Sequence, residues 1–153
     1  MTTIFDSAKR KPLRVMLAEA APPESSHDCY VHGLRWPQSS FSFIVDLDYI
    51  VQWIAPSEAL GSYCFLVSHA SLVFENADDL GITIDWTGAG LEAQLSGLRL
   101  DGERKAPSGV KQRRYVLEFS NVDGGIVLWA TSYEVHLWTE PKRVSTPHLV
   151  AAD

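Results

Sequence analysis

Residues 41–54, FSFIVDLDYIVQWI, carry an apolar side chain at every odd position (Phe41, Phe43, Val45, Leu47, Tyr49, Val51, Trp53), while the even positions hold Ser42, Asp46, Asp48 and Gln52 among isoleucines. A helix, with about 3.6 residues per turn, would spread those apolar groups around its circumference. An extended strand sends alternate side chains to opposite faces and so sorts them. The stretch therefore reads as one long strand, with one face in a core and the other at least partly wet.

The same rhythm recurs in Cys29–Trp36, Tyr63–Ser68, Ser71–Glu75, Ile82–Trp86, Leu91–Leu100, Val110–Ser120 and Ile126–Trp138. Turn-forming residues divide them at Pro37–Ser40, Ala55–Ser62, Asn76–Gly81, Thr87–Gly90, Asp101–Gly109 and Asn121–Gly125. Parallel strands need crossovers of a dozen or more residues, and these gaps are shorter. The expected fold is all-β, a mostly antiparallel sandwich or partly closed barrel of about eight strands. Its clearest hairpins are Leu91–Leu100 with Val110–Ser120 and Val110–Ser120 with Ile126–Trp138. Residues 1–24 read as an irregular extension with a short helical turn over Leu13–Ala20 stopped by Pro22 and Pro23, residues 25–138 as a single domain, and residues 139–153 as a flexible tail.

With 153 residues the chain is long enough to bury a core without disulfides. Cys29 and Cys64 lie in alternating apolar runs and read as small buried hydrophobes. No apolar run approaches the roughly 18–20 residues of a bilayer span. KRKPLRVMLAEAAPP, residues 9–23, lacks the uninterrupted apolar segment of a signal peptide, since Pro12, Arg14 and Glu19 break it. A cytoplasmic location is expected.

The formal net charge of -6 is unevenly placed. Residues 15–98 hold one basic and eleven acidic groups, whereas residues 99–114 hold six basic and two acidic ones. An acidic core repels phosphate backbones and argues against nucleic-acid binding. It suits a basic protein partner, for which Asp46, Asp48, Glu58, Glu75, Asp78 and Asp79 would supply a docking face. The basic cluster RKAPSGVKQRR, residues 104–114, reads as a solvated hairpin tip.

SSHDCYVHGLRW, residues 25–36, collects two histidines, an aspartate and a cysteine. On a regular strand His27 and His32 have opposite parity and cannot share an ion. Asp28 and His32 share a face but stand about 13 Å apart, too far for metal bonds of about 2 Å. A bulge at Gly33 would relax that spacing. His27 lies one strand step from Cys29, yet no further element of a cysteine-hydrolase pattern follows. Asp46 and Asp48 form the best carboxylate pair, about 6.6–7 Å apart on one face, and with His27, Asp28 and His32 carry the alternative of a metal-dependent hydrolase or a small-ligand site. The sequence names no third ligand for that carboxylate pair. It also lacks a phosphate-binding Gly-rich loop, a GxSxG and a CxxC, so no catalytic residue, metal ligand or cofactor is assigned. Five tryptophans near strand ends leave room for an apolar ligand between the sheets.

HDCYVHGLRW (27–36), DLDYIVQW (46–53) and SLVFENADDLGITIDW (71–86) together resemble a group of small, functionally uncharacterised bacterial all-β proteins, some of them similar to the immunity partners of secreted toxins. The resemblance covers residues 26–86. His69 departs from it, standing where a proline is usual. It implies the all-β fold, a bacterial cytoplasmic setting and an immunity-like role in protein recognition, with no catalytic residue. The expected function is therefore non-enzymatic protein binding, with self-association through sheet edges left open.

Overall fold

The computed structural model describes residues 11–18, 27–37, 40–56, 61, 64–87 and 93–146. Ten strands are formed among them: β1 (Arg14–Leu17), β2 (Tyr30–Arg35), β3 (Phe43–Ile54), β4 (Cys64–Glu75), β5 (Asp78–Ile82), β6 (Ala93–Lys105), β7 (Lys111–Phe119), β8 (Gly125–Ala130), β9 (Ser132–Leu137) and β10 (Lys142–Val144). All pairings are antiparallel. The order is β1-β9-β4-β3-β2-β6-β7-β8-β5, with β10 on β4, and the sheet does not close into a barrel. Glu58, residues 1–10 and 19–26, and the last seven residues lie outside the described residues.

The sheet folds over at the β2–β6 junction, where the strands pair only through Tyr30 with Gln94 and Val31 with Ala93, continued by backbone hydrogen bonds of Leu95 with Asp28 and Cys29. One half contains β1, β9, β4, β3 and β2, and the other β6, β7, β8 and β5. Their inner faces share one core. From the first half come Phe43, Val45, Leu47 and Tyr49, all fully buried as the odd-position rhythm requires, and Leu72 and Phe74 from β4. The second half supplies Leu95, Tyr115, Leu117, Ile126 and Leu128. Phe74 and Tyr115 meet at 5.2 Å and Tyr115 and Tyr133 at 5.6 Å, edge to face. Each such pair contributes about 0.5–1.5 kcal/mol beyond its buried area.

Several elements differ from expectation. Ile126–Trp138 is two strands, because the chain leaves one half-sheet for the other at Thr131, whose N–H donates to the Glu75 carbonyl at 2.9 Å. Residues 14–17 form an edge strand on β9 in place of a helical turn. Pairing with a neighbour satisfies their backbone groups, and Met16 enters the core beside Val135. Residues 142–144, within the expected tail, pair with Phe65, Leu66 and Val67 of β4. The two strands expected over residues 63–68 and 71–75 are one, β4 from Cys64, uninterrupted through His69 and Ala70, while Tyr63 lies outside the described residues.

A candidate metal centre on the outer face

Strand β3 lies in the middle of the first half-sheet, between β2 and β4. Its even positions face outward, yet they are drier than the rhythm suggests: Ile44 and Ile50 are buried and Asp48 has no exposed surface. An ionised carboxylate so placed costs several kcal/mol unless partners compensate it. Asp48 recruits them from the strands on either side.

From β4 comes His69, the register partner of Asp48, and directly paired residues put their side chains on the same face. Its Nδ1 stands 2.8 Å from Asp48 Oδ1. From β2 comes His32, delivered by a bulge: Val31 pairs with Leu47 and Gly33 with Asp46, so His32 is the extra residue. Its Nε2 stands 2.9 Å from the same oxygen. A Cβ on Gly33 would meet nothing within 4 Å, so the bulge does not depend on the missing side chain. The bulge also separates residues that a regular strand would align. Leu34 pairs with Val45 of the core face, and Arg35 turns outward.

Both imidazoles are about half exposed, and the three donor atoms lie within 4.8 Å of one another. Metal bonds of about 2.0–2.2 Å place neighbouring ligand atoms roughly 2.9–3.4 Å apart. The two oxygen–nitrogen separations match that spacing to within a few tenths of an ångström, and the exposed rings have room to swing. The hydrogen bond that the His32 ring donates to Asp48 is the main cause that raises the His32 pKa above its ordinary value, with the charges of Asp48 and Asp46 adding to it and desolvation opposing.

A second polar row runs beside the first. Arg35 donates to both oxygens of Asp46, Nε at 2.6 Å and Nη2 at 3.0 Å. Ser71 Oγ donates to Asp46 Oδ1 at 2.5 Å and accepts from the Trp138 indole at 2.7 Å. Farther along the same face Glu134 meets His136 Nε2 at 2.8 Å. Burial, then the neighbouring Glu134, raises the Glu75 pKa.

Of the six carboxylates assigned to a docking face, the five among the described residues are thus dispersed. Asp46 and Asp48 share a face as expected, but Asp48 offers a partner no surface. Asp78 and Asp79 sit on β5, at the far edge of the other half-sheet, where Arg104 reaches Asp79 at 2.7 Å and Asp78 at 3.6 Å. That guanidinium also lies 4.4 Å over the Trp129 ring.

His27 pairs with Asp28 at 3.0 Å, and its ring lies 6.2 Å from that of Trp53. It does not converge with His32. The Cys29 thiol contacts the His27 carbonyl and not its ring, and burial pushes its pKa up to about 12, which leaves it unreactive.

The candidate ligand that sequence reasoning missed is His69. Its signal was register: an antiparallel hairpin joining residues 41–54 to residues 64–75 sets some residue opposite Asp48, and the true offset makes it a histidine. Comparison with known proteins yields no match to the chain among protein-family models, curated proteins or solved structures.

Proposed function

We propose that the protein binds one divalent transition-metal ion through His32, Asp48 and His69 and uses it as a Lewis acid, in the manner of a hydrolytic centre. The supporting observation is the enclosed Asp48 oxygen on which imidazole nitrogens from two other strands converge. Two imidazoles and a carboxylate suit zinc and its neighbours in the first transition row, and three protein ligands leave coordination positions for water or substrate. An ion so held would supply a bound water with its pKa lowered to about 7. Both histidines are half exposed and Asp48 is enclosed, so a group arriving from solvent would meet the imidazole side of the cluster. The alternative of docking a basic protein draws on Asp78 and Asp79, whose charges Arg104 already answers, and the geometry carries it less far.

Thermal unfolding with zinc and with a chelator tests the reading. A ligand specific to the folded state adds about 2.7 kcal/mol at a hundredfold excess over Kd, which raises the melting temperature by several degrees. That gain should vanish in Asp48→Asn and in His69→Gln, the latter altering only a half-exposed ring. Equal melting with zinc and with chelator, or an undiminished gain in His69→Gln, contradicts the proposal. Either result would leave a purely hydrogen-bonded cluster.

A further inference from the structure

The ligand that such a centre would accept is constrained by what surrounds it, and the argument rests on the metal-centre reading. A divalent ion on Asp48 and two neutral imidazoles turns the local charge from negative to positive. The next carboxylate on that face, Asp46, is closed to an incoming anion. Arg35 grips both of its oxygens, and Ser71, itself held by the Trp138 indole, occupies Oδ1 as well.

On the other side of the centre, along the strand direction, stands Lys142. Strand β10 sets it opposite Val67, and His69 lies two residues from Val67 on the same face of β4. Strand spacings of about 4.8 Å across and 6.6 Å along place its Cα roughly 8 Å from that of His69. A lysine's flexible four-carbon stem spans much of that gap. Lys142 is exposed, and among the described residues no carboxylate pairs with it. The loaded face therefore presents an ion with vacant positions, a lysine to one side, and a neutralised carboxylate on the other. A dianionic tetrahedral group gains from both cations at once, whereas a monoanionic carboxylate gains less.

We infer that the metal-loaded centre takes a phosphoryl group directly on the ion, with Lys142 as the cation that docks it. The test is calorimetric titration of inorganic phosphate, with acetate in parallel, into zinc-loaded and metal-free protein and into zinc-loaded Lys142→Glu. Phosphate should bind the loaded protein more tightly than acetate does and should not bind the metal-free protein. Reversing the lysine charge should weaken phosphate roughly fivefold or more while zinc affinity stays within about twofold. Zinc uptake with a phosphate Kd unmoved by Lys142→Glu overturns this inference alone. Acetate binding as tightly as phosphate, or phosphate binding equally to metal-free protein, also overturns it. Failure to take up zinc removes the underlying reading and the inference together.

Discussion

At the scale of single residues, Asp48 dictates the chemistry. With no exposed surface, its charge needs compensating partners, His32 and His69 among them, and the same enclosure makes it a strong candidate ligand. His32 has a pH signature in the metal-free protein. Its folded pKa is raised above the ordinary 6.5, so its contribution is fully present below about pH 6.5 and is lost as pH climbs through the folded value. Melting temperature followed from pH 5 to 9 should therefore show a decline in wild type that flattens in His32→Gln; parallel profiles contradict this assignment. Metal affinity should run the opposite way, rising with pH as the competing proton leaves. Cys29 has its own window. Its thiol stays neutral in the folded chain up to about 12, against 9.0 ordinarily, so stability should fall as pH rises between those values. In native protein at pH 8 a thiol reagent should leave Cys29 unmodified, and rapid labelling there would show that it is not enclosed.

Among the elements, glycine matters most where β8 begins. Gly124 has a φ of 88°, and a Cβ there would lie 2.0 Å from the Thr83 carbonyl oxygen. Gly124→Ala should cost about 2 kcal/mol or more, lowering the melting temperature by roughly 5 °C, since both the left-handed backbone and the 83–85 segment against it must give. A melting temperature within a degree of wild type would contradict that packing. What the sequence made legible at this scale was parity. The odd positions of β3 are buried from Phe43 to Tyr49 as read, but beyond the register shift between Ile50 and Gln52 Val51 is half-buried and Trp53 exposed, and the β6–β7 and β7–β8 hairpins pair as read. The β8–β9 break was also written in the chain: buried positions are even through Ile126, Leu128 and Ala130, then odd at Val135 and Leu137. That phase slip marks the passage between half-sheets at Thr131. Strands β1 and β10 left no such trace. Each is only three or four residues long and takes its partner from far along the chain, so local pattern has nothing to act on. His69 was hidden for a related reason, since face can be read from alternation but register depends on the turn.

For the molecule as a whole, the two half-sheets cannot be stable separately, because Phe74 and Tyr133 from one close on Tyr115 from the other. Unfolding should be a single cooperative transition. Tyr115→Ala, which empties that junction, should cost about 3–5 kcal/mol and shift the sheet signal in circular dichroism and the tryptophan fluorescence together. Two separated transitions would instead mark independent halves. This shared core is also what holds β2, β3 and β4 in the register that brings the centre together, so fold and chemistry stand on the same pairing. Imidazole nitrogen resonances followed by NMR during zinc titration examine that pairing and its consequence at once. The result expected is that, at one equivalent, His32 Nε2 and His69 Nδ1 shift as zinc ligands while His27 and His136 stay unchanged; zinc saturation that leaves His32 and His69 unmoved, or moves other histidines instead, would contradict it.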